Sequence, residues 1–381
     1  MSTVVISGDT SGSITLQAPA VSGTTTLTLP ATSGTVLQSG TAVTEAQGGT
    51  GTTTGYYGFK NRIINGGMDM AQRGTSLTST SSANNDDTYV LDRFYILSDG
   101  NDIIDVTQTT TVPTGAKFSI GLDVETVNKK FGIAQIIENA NCSNAIGGAV
   151  TLSFQAKVSS TTNLDNVKCA IVAWSGTADT VTSDIISAWG VEGTNPTLIA
   201  NATYENSPAN LNVTTSFATY SVTANVDTAS TSNIILFIWS DVTTTSLGEF
   251  LYITNVQLEK GSTATSFDYR PIGTELALCQ RYFSLVDSAM GACAGTTSAQ
   301  FGITFPVQMR TAPSVAATTI ACTDITVGDF TSSSPSPSLI NSSTYGGRIT
   351  IGGFTGMTAG RIACLLGSGA SAAPIQCSAE L

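Results

Sequence analysis

Histidine is absent from all 381 residues. Its absence excludes Ser-His-Asp and Cys-His nucleophile systems, HExxH zinc sites and any histidine acid–base step, leaving only a short list of carboxylate- or lysine-based enzymes. Charge is scarce too, at 11% of residues against about a quarter in ordinary soluble proteins. The formal net charge of −12 lacks the basic footprint that nucleic acid requires. No apolar run approaches the length of a membrane span: the longest clean one, "IILFIW" at 234–239, is strand-sized. "MSTVVISGDTSGS" carries neither the basic region nor the apolar run of a signal peptide. The seven cysteines, at 142, 169, 279, 293, 322, 364 and 377, form no CxxC pair. An odd count without a signal peptide points to cytosolic synthesis and reduced thiols, each a small buried apolar residue.

Gly, Ser, Thr and Ala take the place of charge, and hydrophobic residues make up 41%. That is a β-rich composition with many turns, not a disordered one, on a chain long enough for two or three domains. A repeat opens it: "GSITLQAP" from Gly12, "GTTTLTLP" from Gly23 and "GTVLQSG" from Gly34, eleven residues apart. Each unit reads as a short strand closed by a Pro or Gly turn. Alternation at Ile14/Leu16 and Leu27/Leu29 gives the strip one apolar face, which a single thin strip cannot bury without copies of itself or another protein. "EAQGGTGTTTGYYG" (45–58) is a Gly/Thr linker that fits neither GxGxxG nor GxxxxGK. From 88 to 270 at least eight strand-like runs alternate with turns, among them "VKCAIVAW", "NIILFIWS" and "EFLYITNVQLEKG", and they predict a jelly-roll β-sandwich. "GTELALCQRYFSL" (273–285) is the one good helix, with Thr274 as cap, Glu275 at its positive end, and Leu276, Cys279 and Phe283 on one face. Beyond it, short strands predict a small, separate β-domain.

"GFKNRIINGGMDMAQRG" (58–74) stands out for Lys60, Arg62 and Arg73 among amides and glycines. Its expected role is that of a joint, with the Asn61 and Asn65 amides pairing with backbone groups and the glycines turning sharply. Trp239 ends an apolar strand and belongs to the core. Trp174 and Trp189 flank the polar stretch "SGTADTVTSDIISA" and are expected to be exposed. With Tyr204 in the loop "NATYENSPAN", they are the candidate platforms for stacking sugars. "ANNDD" (83–87) and "SDGND" (98–102) are oxygen-rich turns able to contribute to a calcium site, but neither has DxDxDG spacing. Solvated turns are therefore expected there, and no metal or cofactor is assigned.

Four stretches resemble the receptor-binding fibre proteins of tailed bacteriophages, notably those of marine and cyanobacterial phages. "SGSITLQAPAVSGTTTLTLPATSGTV" followed by "QGGTGTTT" is similar to their attachment and linker regions. "FKNRIINGGMDMAQRGTS" with "LDRF" is similar to the entry into their jelly-roll module. "LYITNVQLEKGSTATSFDYRPIGTELALCQRYF" is similar to its last strand and exit helix, and "FPVQMRTAPSV" to the opening of a distal domain. The resemblance implies a non-enzymatic homotrimer in the virion, docked to a tail or other virion protein by residues 1–58. A carbohydrate-binding-module-like sandwich (59–272), followed by a connecting helix and distal β-domain (273–381), then faces a host-surface polysaccharide. A virion decoration that binds no receptor is the alternative, followed by a polysaccharide-depolymerising tailspike. The latter usually needs many stacked β-helix rungs, whereas the repeat here ends after some 30 residues.

Overall fold

The computed structural model describes residues 3–7, 11–17, 59–79, 83–228, 230–324, 328–366 and 374–381, in two units, 1–56 and 57–381. In the first, β1 (Thr3–Ser7) and β2 (Ser13–Gln17) form an antiparallel hairpin in which Ile6 pairs with Ile14 in register. β2 falls on the first sequence repeat. The repeats from Gly23 and Gly34 and the linker 45–58 lie outside the described residues.

The second unit is built from antiparallel sheets. Its strands begin with β3 (Ser76–Leu77), β4 (Tyr95–Ser98), β5 (Ile104–Thr109), β6 (Ser119–Val124) and β7 (Phe131–Ile137). After the short helix α1 (Asn139–Cys142) come β8 (Ala149–Val158) and β9 (Val167–Trp174). Residues 175–201 then make an excursion holding the small pair β10 (Ile186–Ala188) and β11 (Thr197–Leu198). β12 (Ala202–Tyr204), β13 (Ala218–Asn225), β14 (Asn233–Ser240) and β15 (Phe250–Lys260) complete the sandwich. One sheet runs β12-β9-β14-β7-β4 and the other β13-β8-β15-β6-β5-β3. Consecutive long strands swap sheets, which is the jelly-roll pattern. Side chains alternate across each strand, so Leu152, Phe154, Leu251 and Ile253 of the second sheet meet Ile133, Ile171 and Leu236 of the first in one core.

The five-stranded sheet is buried on both faces, hence the unbroken apolar runs of β9 and β14. Its outer face carries Phe237 stacked on Trp239, with ring centroids 4.4 Å apart. The excursion lies across this face, and Val181, Ile185 and Trp189 pack into it. Two buried lysines hold the excursion down. Lys130 Nζ donates to the Val191 and Thr194 carbonyls at 2.8 and 3.0 Å and pairs with Asp241 at 2.5 Å. Lys168 Nζ reaches the other Asp241 oxygen at 2.7 Å, and the Gly193 N–H donates to Asp241 at 2.8 Å.

Residues 60–73 strap the sandwich. Asn61 Nδ2 donates to the Val256 carbonyl at 3.0 Å, while its Oδ1 accepts the Ile63 and Leu258 N–H groups. Asn65 bonds the Met70 and Asp92 backbone in the same manner, and Arg270 closes over Ile63, Asn61 and Glu275. A Cβ on Gly66 would run into the Val256 carbonyl, so only glycine permits this approach. Both amides pair with backbone as expected, and the segment's polarity is consumed internally.

The helix departs from expectation. α2 (Ile272–Gln280) starts at Pro271 with no side-chain cap, so Thr274 lies inside its first turn. Glu275 is buried against Arg270. Phe283 belongs to no helix face, because it begins β16 (Phe283–Val286), which pairs with β25 (Ile375–Ser378). Sheet pairing wins over helical periodicity there. Between them lie β17 (Ser288–Cys293), β18 (Ser298–Thr304), β19 (Ser314–Ala316), β20 (Ile320–Asp324), β21 (Gly328–Ser332), β22 (Ser336–Ile340), β23 (Gly346–Gly352) and β24 (Ile362–Leu366). They form a seven-stranded sheet, β21-β20-β24-β17-β18-β23-β22, and a three-stranded one, β16-β25-β19, over their own core of Phe301, Ile349, Leu365 and Cys377. Glu380 links this layer to the sandwich by ion pairs with Arg73 and Arg93, and Leu381 packs with Tyr95 and Trp239. The chain is therefore all-β apart from two short helices among the described residues.

Candidate functional site on the open sheet face

Trp174 and Trp189, expected to be exposed, are each only 8% exposed. The polar stretch between them forms the excursion that folds back over the five-stranded sheet, so both flanking rings end inside. Trp174 donates from Nε1 to the Thr177 carbonyl at 3.1 Å, and Trp189 meets Phe237 edge-on at 5.8 Å. Tyr204 is half-buried on edge strand β12 and donates to the Pro196 carbonyl at 2.8 Å. The fold does bring the three together, but around one covered cluster, and stacking on a ligand needs a free ring face. Trp239 is fully buried, as expected.

The outer face of the six-stranded sheet is different. Residues 261–270 fold over one half of it, where Thr265 and Asp268 bond Glu259 and Gln257, but Phe250 and Tyr252 in the other half are only partly buried, and the residues pointing outward are polar or aromatic. Strand register lines them up in two adjacent rows. Thr107, Gly121, Tyr252 and Lys157 are cross-strand neighbours along β5, β6, β15 and β8. Asp105, Asp123 and Phe250 form the next row. Phe250 and Tyr252, two residues apart on one strand, point the same way and stack at 5.3 Å with 8° between their planes. Gly121 makes this possible: its absent Cβ would sit 3.3 Å from the Tyr252 ring and 3.0 Å from Thr107 Oγ1. Lys157 Nζ stands 5.2 Å from the Tyr252 ring centre and 5.6 Å from that of Phe217, an ammonium between two π-faces.

The electrostatics are mixed. Burial, then the Asp123 carboxylate, raises the Tyr252 phenol, partly offset by its hydrogen bond with Thr111. Tyr252 therefore stays a neutral donor–acceptor at physiological pH. Burial and the facing Asp105 raise Asp123, whose Oδ1 accepts no hydrogen bond. The face thus offers one flat apolar double ring and one cation within two rungs of sheet, with the Asp105 and Asp123 carboxylates beside them. That arrangement can stack a C–H-rich ring face and exchange hydrogen bonds with hydroxyls at its edge. The sequence carried a signal for it in "EFLYIT", where aromatics at i and i+2 share a strand face. Residue type drew attention to tryptophan instead.

No protein-family model and no curated protein matches the chain. Solved structures align with about half of the chain at low identity. The enzymatically active domain of bacteriophage CBA120 tailspike protein 4 aligns with 53% of this chain at 17% identity and a TM-score of 0.30. The alignment spans only 22% of that chain. A sugar-binding protein, so described, from Bacteroides thetaiotaomicron VPI-5482 is covered entirely by 53% of this chain, at 14% identity and a TM-score of 0.32. The CBM22-1 and GH10 modules of Clostridium thermocellum xylanase 10B, in complex with xylohexaose, align over 53% of this chain and 31% of their own at 12% identity, with a TM-score of 0.30. At these identities and scores the likenesses carry no information about ligand or activity in this chain.

Proposed function

We propose that the protein is a non-enzymatic phage tail-fibre adhesin that binds a host-surface glycan through the open face of the six-stranded sheet. The observation that carries the glycan reading is the stacked, partly exposed Phe250–Tyr252 pair, flanked by Lys157 and the Asp105–Asp123 row. The virion assignment rests on the resemblance of residues 1–58 and of the sandwich entry and exit segments to phage fibres. In this reading 1–58 docks to the virion, 59–272 meets the glycan, and 273–381 braces it. Single sugar sites are weak because they trade water hydrogen bonds for protein ones at little net gain. Three linked sites raise avidity by about 10²–10⁴, which the homotrimer inferred from the eleven-residue repeat would supply. Sedimentation of the full chain at micromolar concentration should give a trimer, and a monomer there removes this part of the proposal.

Binding of the full-length protein to host cells and to an array of their polysaccharides tests the glycan reading. Tyr252→Ala and Phe250→Ala should each weaken binding about tenfold or more, equivalent to at least about 1.4 kcal/mol, with thermal melts confirming an intact fold. Trp174→Phe, under the excursion, should leave affinity unchanged. Undiminished binding by a folded Phe250→Ala/Tyr252→Ala double variant would move the site elsewhere.

A further inference from the structure

The outer face of the seven-stranded sheet carries almost no charge. Phe301, Ile349 and Leu365 point into the core beneath it, so the residues that alternate with them point outward. On the neighbouring strands β24 and β17 these include Ile362, Cys364, Met290 and Ala292, with Met290 opposite Cys364 and Ala292 opposite Ile362. Met290 and Ile362 are 58% and 57% exposed. Gly302 takes an outward position on the adjacent β18, and a Cβ there would meet nothing within 4 Å. Strands β20, β24, β17 and β18 hold one charged residue, Asp324, and it is buried. Exposed apolar residues set side by side on a sheet face mark a contact surface.

The charge that is present lies on the two sides of this neutral stripe. Asp329 of β21 sits opposite Thr323, whose hydroxyl donates to it, and Thr323 sits opposite Cys364, so the carboxylate belongs to the outer face. Arg348 of β23 precedes the inward Ile349 and is exposed. Their strands are five spacings apart in the sheet, about 24 Å. Neither side chain forms an ion pair among the described residues. A negative side, a neutral stripe and a positive side complement the same surface on another copy when the two meet head to tail.

We propose that this face docks onto the distal sheet of a second copy of the chain, the Arg348 side of one copy meeting the Asp329 side of the next. Such contacts are heterologous and can close into a ring. At −12 charges per chain, copies repel one another over most of their surfaces, and a neutral stripe with matched sides removes that cost locally. Seven strands of about five residues make a face of roughly 500 Å², below the ~800 Å² per partner of a standard stable interface. The contact therefore acts between copies already held together. It rests on the trimer proposed above and does not depend on glycan binding.

The test uses the full-length protein and a reporter already in it. Cys364 is the one cysteine of the seven that is not buried. Under native conditions at micromolar concentration, N-ethylmaleimide should modify Cys364 at least about tenfold more slowly in the wild type than in Met290→Asp/Ile362→Asp, read by peptide mass. Carboxylates beside a thiol lower its thiolate fraction, so a faster reaction in that variant reports lost cover. If the double variant fails to fold, Arg348→Asp serves. It should expose Cys364 as well, and adding Asp329→Arg should restore protection, which damage to the sheet would not do. Equal rates in the folded wild type and variants overturn the proposal. A trimer by sedimentation whose Cys364 reacts at the variants' rate refutes this contact alone, whereas a monomer refutes the trimer too.

Discussion

Replacing Asp241 with alanine should lower the melting temperature by on the order of 10 °C, for a loss of about 3–5 kcal/mol. Asp241 is 0% exposed and holds two ammonium groups, those of Lys130 and Lys168, which have 1% and 7% of their side chains exposed. Removing the carboxylate leaves two buried cations whose remaining partners are the carbonyls of Val191 and Thr194 and the Asn195 amide oxygen. A buried ion pair adds little when intact, but leaving one side without its partner is strongly destabilising. The excursion over Trp189 should loosen as well, seen as a shift in tryptophan emission. Asp241→Asn should lose nearly as much, which attributes the effect to charge and not to size. The pH dependence has a definite sign. Burial acts to raise Asp241, but hydrogen bonds from Lys130 and Lys168 outweigh it and hold the carboxyl below its ordinary 3.8. A lowered folded-state value means the contribution is present above the unfolded value and lost as pH falls through the folded one. The gap between wild type and variant should be constant from neutrality to about pH 5 and close only in stronger acid. A variant melting within a degree of wild type would refute this account of the clamp.

Glu380→Ala is expected to lower the urea midpoint by a comparable free energy, about 3–5 kcal/mol. Its carboxylate pairs with both Arg93, 1% exposed, and Arg73, at 3.0 Å. The Arg93 guanidinium also lies 3.7 Å from the Tyr282 ring centre and donates to the Ile136 carbonyl at 2.6 Å. These contacts fix it in place, so it cannot swing into water when its partner is removed. Arg310 donates to the Ala379 and Glu380 carbonyls at 2.8 and 2.6 Å, so the backbone there stays anchored and the loss reads out the charge. Glu380→Gln, which keeps hydrogen-bonding capacity, should fall between wild type and alanine. An unchanged midpoint in the alanine variant would show that Arg93 finds another partner.

Much of the fold was legible because the strands follow a period of two or run wholly apolar. "VKCAIVAW" and "NIILFIWS" coincide with β9 and β14 to the residue, and the polar-facing alternation of β13 reads directly from "ATYSVTAN". What failed was long-range. Nothing local tells that Ser175–Asn201 folds back over a sheet face, so Trp174 and Trp189 looked like surface residues. Phe283 continued a helical stripe until β25, some ninety residues later, paired with it. The site was hidden for the same reason. Tyr252 is an ordinary strand tyrosine until register places Gly121 on one side and Lys157 on the other. The Asn61 and Asn65 amides were easier, since an amide beside glycines already announces backbone pairing.

The strap at 60–73 also governs how the molecule comes into being. Its partners, Val256, Leu258, Asp268 and Arg270, lie about two hundred positions further along the chain. At a synthesis rate of about 5–20 residues per second, the strap waits roughly 10–40 s for them to emerge. Until then Ile63, Ile64 and Met68 have no core to enter, and the edge they cover stays open to pairing with other chains. Closing so large a loop before any reward makes folding slow for thermodynamically ordinary reasons. The nascent sandwich therefore carries this unpaired edge until almost the whole of it has been synthesised.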